Sequence, residues 1–384
     1  MKYVVIRCED AAPAPLHAAS LWEGAKLPHL QQLAQAGAAG LIRKAKKPAA
    51  FSGLELHHGL FGLGAQESGA APARCYAASV NLQLAPGETA WCCELATQQN
   101  GRIDDPTAGG IPTKEGELLI QALNDRLGSE TRRWEVGHGS HHLLVTRDDA
   151  LRLARPSALR PPELLLGLRW SQRLPKGPLG QALRRLIEEA SGILEDHPIN
   201  RVRVDLHENP ANMIWCWGPT DGRQERTFRE RTGLCATVVS HGFPMRGFAH
   251  SLGLTWKEAP ASLSEASLQR LLKTVVPLVE SEDLVYVHLR IDAGDPVDRL
   301  CAMNRIDALL VKPITEALTD QQPSRLLVAV DDRPNGSVPF VAIGEGLSRH
   351  PVARLNAESF RESPLAFSEG AELFAWFTGG GLAR

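Results

Sequence analysis

No stretch of the sequence approaches the roughly 20 consecutive apolar residues needed to cross a bilayer, so a membrane-spanning role is not expected. Neither sign of charge dominates. Lysine and arginine number 42 against 44 aspartates and glutamates, a formal net charge of −2. That balance offers no global attraction to nucleic acid or to an acidic membrane surface. Cysteine is sparse: positions 8, 75, 92, 93, 216, 235 and 301 make an odd count with no CxxC spacing. This excludes an evident disulfide framework and points to buried, reduced thiols in a cytoplasmic protein. The vicinal Cys92-Cys93 lies in the strand-like AWCCELAT, which sends the two thiols to opposite faces. Internal repeats are missing, and the only low-complexity piece is the short TGGGLAR end. The opening MKYVVIRCED is charged too early for a secretory leader and reads as a first strand.

What is present is the composition of a globular protein, 43% hydrophobic and 22% charged. A chain of 384 residues exceeds what one core usually supports, so two domains are expected. Three segments share one design. KYVVIRCED (2–10) ends at Glu9 and Asp10, DLVYVHLRIDAGD (283–295) at Asp292 and Asp295, and RLLVAVDD (325–332) at Asp331 and Asp332. Near-continuous apolar strands suit a parallel sheet covered on both faces, where ligands bind beyond the carboxyl ends. Three strands far apart in sequence thus aim acidic residues towards one place. Helices fit between them. LPHLQQLAQAG (27–37) puts Leu27, Leu30, Leu33 and Ala34 on one face. SLSEASLQRLLKTVVPLVESE (262–282) opens on a serine at capping-box distance from Glu265. DPVDRLCAMNRIDALLVKPITEAL (295–318) is a further amphipathic helix that feeds the strand ending at Asp331.

The middle differs. Residues 147–178 are rich in proline and arginine and read as a solvated surface loop, and QALRRLIEEASGILEDH (181–197) is an amphipathic helix. The simplest organisation is a doubly wound α/β core, residues 1–70 and 225–384, split by an inserted α+β cap over 71–224.

KYVVIRCED, ATQQNGRIDDPTAGGIPTKEGELLIQALN, HHLLV, HPINRVRVDLHENPANMIWCWG, GLCATVVSHGFPMRGFAHSLGL, VYVHLRIDAGD and VAVDDRPNGSVPF follow one another along the chain. In that order and spacing they resemble the archaeal-type 2,3-bisphosphoglycerate-independent (cofactor-independent) phosphoglycerate mutases of the alkaline phosphatase superfamily. PANMIWCWG is the most specific piece. The resemblance implies an alkaline-phosphatase-like core, two divalent metal ions at the strand ends, a transiently phosphorylated serine, and arginines of the cap gripping phosphoglycerate. Such parts suit phosphoryl transfer: metals activate the serine and neutralise the phosphoryl group, and arginines hold phosphate bidentately.

The site positions depart from that pattern. An aspartate–glycine pair is replaced by Glu9-Asp10, and the glycine–serine–aspartate setting of the nucleophile by PAAFSGLELHHGLFG, where Ser52 is the candidate nucleophile but a helix N-cap is the favoured reading. The aspartate and histidine of the third motif fall on Ile291 or Asp292 and on Asp295. In the fourth motif Asp331 keeps the aspartate, Asp332 replaces a histidine, and the last histidine has no counterpart before Val338-Pro339-Phe340. All three histidine ligands of the family are therefore missing. Glu9, Asp10, Asp292, Asp295, Asp331 and Asp332 form the expected metal cluster. An all-oxygen set suits magnesium, whereas histidine nitrogen suits zinc or manganese. Such crowding is relieved by a hard cation, by raised pKa values, or by ion pairs with Arg7, Arg290 and Arg333. On the substrate side Arg203, Arg246 and His142 match family positions, while Cys92 and His141 stand where arginines are usual. The paired His57-His58 cannot chelate together on a helix, where neighbours point about 100° apart. His138 and His141 are read as surface or packing residues.

Two functions follow. One is a catalytically silent homologue, without metal, that binds or scaffolds a protein partner. The other is a phosphoglycerate mutase or related phosphatase using magnesium or manganese and a phosphorylated small molecule such as phosphoglycerate. Ion pairs in place of metals, with mutase activity lost or strongly reduced, is the leading expectation.

Overall fold

The structure is a computed structural model, and it describes residues 1–10, 20–43, 54–64, 72–152, 159–222, 226–292, 295–321, 323–331 and 337–379. Ser52, Asp332 and Arg333 lie outside the described residues.

The apolar runs seen in the sequence form the middle of a large sheet. Its strands are β1 (Lys2–Asp10), β2 (Ala38–Ile42), β8 (Ala236–Ser240), β9 (Thr255–Glu258), β10 (Leu284–Ile291), β11 (Ser324–Asp331), β12 (Val338–Gly344) and β13 (Ala366–Phe367). They lie in the order β13-β2-β12-β11-β1-β10-β8-β9. Every strand runs the same way except β12, which is antiparallel to both neighbours. Val4, Ile6 and Cys8 of β1 point to one face and Tyr3 and Val5 to the other, all of them buried. That double burial is why these strands read as continuous apolar runs.

Helices cover both faces. On the face of Val4 and Ile6 lie Pro28–Ala36, Glu265–Ser281 and a helical run from Pro296 to Thr319 that widens into a π turn at Asp307–Val311. On the face of Tyr3 and Val5 lie Leu54–Gly59, Phe243–Ser251 and Gly370–Thr378. Leu27, Leu30, Leu33 and Ala34 are all buried, as their spacing predicts. The helix Pro28–Ala36 has no side-chain cap of its own at Leu27. Asp307 of the π turn supplies it, accepting the backbone N–H groups of His29 and Leu30 at 3.1 and 2.8 Å. One start signal falls two residues later than the sequence suggests. The helix begins at Glu265, so Ser264 is the cap, accepting from the Ser267 N–H, and Ser262 bonds sideways to the Ser267 hydroxyl. Several serines in a row fit the same signal, and only the helix's packing selects between them.

A second, five-stranded antiparallel sheet comes from the middle of the chain: β3 (Thr89–Gln99), β4 (Arg102–Asp105), β5 (Arg132–His138), β6 (His141–Thr146) and β7 (Met213–Thr220). Its order is β4-β3-β6-β5, with β7 on the other side of β3. The helices Thr113–Leu127 and Pro178–Glu195 pack with it around Trp91, Leu119, Leu183 and Trp215. Cys92 and Cys93 are both buried, because both faces of β3 are covered. The helix Pro72–Ser79 joins the two halves by lying against Phe243–Ser251. Gly247 leaves no room for a Cβ against the Cys75 carbonyl, so a glycine is what allows that approach. The Ser79 hydroxyl donates to the Phe243 carbonyl at 2.7 Å across the same contact.

Candidate site at the strand ends

β1 lies between β10 and β11, all parallel, with Glu9 paired to Arg290 on one side and to Asp331 on the other. The carboxyl ends of the three strands therefore meet, as their shared design requires. Side-chain alternation then sorts the charges onto two faces. Arg7 and Glu9 follow Tyr3 and Val5, while Asp10 follows Val4, Ile6 and Cys8.

On the first face the central group is Arg7. Its side chain is 0% exposed, with Nη2 4.0 Å from Glu9 Oε2 and 3.7 Å from Asp331 Oδ2. Burial works against the Arg7 charge, but Glu9, Tyr286 and Asp331 outweigh it and raise its pKa. The same Glu9 oxygen meets His288, whose Nε2 is 3.0 Å from Oε2. Burial pushes the Glu9 carboxyl up, yet the His288 hydrogen bond and the Arg7 charge hold it well below the usual carboxylate range. His57, from the helix Leu54–Gly59, sets its ring edge-to-face on His288 at 4.5 Å and bonds through Nδ1 to the Tyr286 hydroxyl at 2.6 Å. Burial lowers the pKa of both imidazoles, and Arg7 adds to it. Two imidazoles and one carboxylate thus converge, their ligand atoms within 4.8 Å of one another. One soft or borderline divalent cation could be held there by Glu9, His57 and His288.

On the second face Asp10 is fully buried and gripped by Arg299 of the helix Pro296–Ile306. Arg299 Nε reaches Oδ1 at 3.1 Å and its Nη2 reaches Oδ2. Asp292 is exposed, 3.7 Å from Arg290. Asp295 caps the helix Pro296–Ile306, accepting from the Val297 and Asp298 N–H groups at 2.7 and 3.3 Å. A pair of divalent cations does not fit this set. Among the described residues the carboxylates of Glu9, Asp10 and Asp331 already face guanidinium groups, and Asp10 looks away from the others. Of the six carboxylates expected to gather, Asp332 lies outside the described residues; among the other five, strand parity turns Asp10 away from Glu9, and Asp295 is spent on a helix end.

The substrate-side candidates lie elsewhere. Arg203 is buried and fixes the loop after β4: Nε donates to the Asn209 carbonyl at 3.0 Å, Nη2 to the Ala108 carbonyl at 2.8 Å, and Nη1 meets Glu115 at 2.6 Å. Arg246 stacks over Phe243 and Trp256 and donates to the Ser79 carbonyl at 3.1 Å. His142 is 0% exposed, accepts the Gly137 N–H at 3.1 Å, and its pKa is lowered by burial to about 3. Beside it His141 plays a role the sequence did not suggest. Its Nδ1 lies 2.7 Å from Glu94, a buried carboxylate that also accepts from Tyr76 at 2.8 Å and Trp217 at 3.1 Å. Burial opposes the His141 proton, but Glu94 prevails and raises its pKa.

Sequence reasoning set His57 aside with His58 and missed His288, Arg299 and Glu94. A signal existed for His288, which shares parity with Arg290 on a strand already aimed at the site. None existed for Arg299, which arrives from a helix, nor for the pairing of His57 with His288.

The family model for 2,3-bisphosphoglycerate-independent phosphoglycerate mutase matches residues 34–200. An enzyme of that name from Methanosarcina acetivorans is 28% identical over 346 residues, covering 87% of this chain and 86% of that protein. The one from Methanothrix thermoacetophila is 25% identical and covers 97% of this chain and 98% of its own length. Among solved structures, the PH0037 protein from Pyrococcus horikoshii superposes with a TM-score of 0.71 at 18% identity, covering 98% of this chain and 96% of that one. The cofactor-independent phosphoglycerate mutase from Thermoplasma acidophilum gives 0.61 at 19%, covering 98% and 99%. The chain resembles this family along nearly its whole length, and the two structures share its fold.

Proposed function

Starting from that likeness, we propose that this protein is a phosphoglycerate-mutase-like protein whose metal-dependent mutase chemistry is lost or strongly reduced, and that it acts as a binding or scaffolding module. The observation that carries the reading is Arg7, a wholly buried guanidinium between Glu9 and Asp331. A resident positive charge neutralises the strand-end carboxylates, and a dication entering beside it meets repulsion at a few ångströms. The Asp10–Arg299 pair does the same on the other face. In this reading 1–70 with 225–384 form the core and 71–224 the inserted cap. Arg203 and His142 support the cap, and a phosphorylated small molecule such as phosphoglycerate remains the ligand class to try.

A second reading is supported by one observation, the convergence of Glu9, His57 and His288. It gives a metal-dependent phosphoryl-transfer or phosphatase enzyme using a single divalent cation, manganese rather than magnesium because two of its ligands are imidazoles, with Ser52 as the nucleophile.

Conversion of 3-phosphoglycerate to 2-phosphoglycerate, followed with manganese, magnesium or zinc at about 1 mM, decides between them. We expect turnover below roughly 10⁻³ s⁻¹, against about 10 s⁻¹ for a median enzyme. Turnover above about 1 s⁻¹ that a chelator abolishes, and that Ser52→Ala removes, establishes the second reading instead.

A further inference from the structure

The same carboxyl edge of the large sheet holds a cavity that neither reading uses. It measures about 290 Å³ and lies on the face opposite Arg7 and Glu9, where Leu41 of β2 joins the cluster of Val4, Ile6 and Cys8. Its apolar walls are Trp22, Leu41, Pro339 and Phe360, and its polar ones include Ser337 and Arg361. Trp22 and Phe360 meet edge-to-face with centroids 5.0 Å apart, so two rigid rings define its floor.

Two features of this lining call for a ligand. Trp22 is 3% exposed, yet among the described residues its indole N–H has no hydrogen-bond partner. Buried donors are nearly always paired, and an orphaned one carries its desolvation penalty uncompensated. Arg361 sits at the mouth, exposed, on the helix Ala357–Glu362. Its Nε is tied to the Ala357 carbonyl at 2.9 Å, which fixes the guanidinium plane while no carboxylate among the described residues pairs with it. A flat apolar slot, one buried donor without an acceptor, and one anchored positive charge together specify a complementary molecule. It has a ring to lie against Trp22 and Phe360, an acceptor for the indole N–H, and a negative charge for Arg361. The volume stands at the small end of the usual range for ligand pockets, about 300–1,000 Å³, which limits the body to one or two fused rings.

We propose that this cavity is a binding site for a small aromatic carboxylate. The site is independent of the strand-end reading, since Arg7, Glu9 and Asp10 are not among its lining residues.

The test uses the full chain and 2-naphthoate as probe, with uncharged 2-naphthamide as its control, titrated by calorimetry. One equivalent of 2-naphthoate is expected to bind saturably in the range of about 10 μM to 1 mM. Trp22→Phe keeps a ring and removes the donor, and should weaken binding about 5- to 10-fold. Arg361→Gln changes an exposed residue whose hydrogen bond is to a carbonyl of its own helix. It should weaken 2-naphthoate by a similar factor and abolish the preference over 2-naphthamide. If Trp22→Phe fails to fold, Arg361→Gln alone still decides. No saturable binding up to about 5 mM, or binding that Arg361→Gln leaves unchanged, overturns the proposal.

Discussion

Replacing Arg7 by methionine is expected to cost about 3–5 kcal/mol at neutral pH, the penalty for leaving buried carboxylates without their cation. Methionine matches the length of the arginine stem and packs in its place, so little of the loss is cavity. Urea unfolding of the wild type and Arg7→Met measures it. Adding Glu9→Gln should return roughly half of the loss, because the stranded charge disappears with its partner. The same variant carries a second expectation. With the guanidinium gone, Glu9, Asp331, His57 and His288 surround a vacated position, so manganese at about 100 times its Kd should stabilise Arg7→Met by about 2.7 kcal/mol. A wild type equally stabilised by manganese contradicts the idea that Arg7 holds the cation's place. A loss below about 1 kcal/mol would show that Arg7 is not what neutralises the strand ends.

Acid is expected to unfold the protein well above the range where carboxylates titrate. His142 has a folded pKa of about 3 against 6.5 when unfolded. A depressed folded pKa means that the unfolded chain binds the proton first, so the contribution is complete above about pH 6.5 and is lost as pH falls. At pH 5 the loss is about 2 kcal/mol from His142 alone, at 1.36 kcal/mol per unit. His57 and His288 are shifted in the same direction by burial and steepen the decline. His141 opposes it weakly: its raised pKa gives stability that is full below about pH 6.5 and fades as pH rises past its folded value. Unfolding free energies at pH 7.5 and 5.0 should therefore differ by several kcal/mol, with His142→Gln narrowing the gap by about 2. A gap that His142→Gln leaves unchanged would mean that its imidazole is protonated in the folded protein.

Much of this architecture was legible because strands and helices advertise themselves by apolar spacing. The runs over 2–10, 283–295 and 325–332 became three adjacent parallel strands, ending at Asp10, Ile291 and Asp331, and the helix over 181–197 lies at Pro178–Glu195. The site was legible only in part. Glu9 and Asp10 look like a pair in sequence, but a strand turns adjacent side chains to opposite faces. Applying that alternation to KYVVIRCED puts Arg7 beside Glu9, and applying it to VYVHLRI puts Tyr286, His288 and Arg290 together. Local sequence does not encode which helix residue arrives opposite, so neither Arg299 against Asp10 nor His57 against Tyr286 could be foreseen. The same holds for Glu94, whose partners Tyr76, His141 and Trp217 come from three separate elements.

The most direct test of the arginine-filled site is a calorimetric titration of the purified wild-type protein with manganese, repeated with zinc, after exhaustive chelation. The account predicts no stoichiometric heat up to about 1 mM metal, because Arg7 and Arg299 already neutralise Glu9, Asp331 and Asp10. Two equivalents bound below about 10 μM would contradict it, since the strand ends would then be a working metal pair with arginines that move aside.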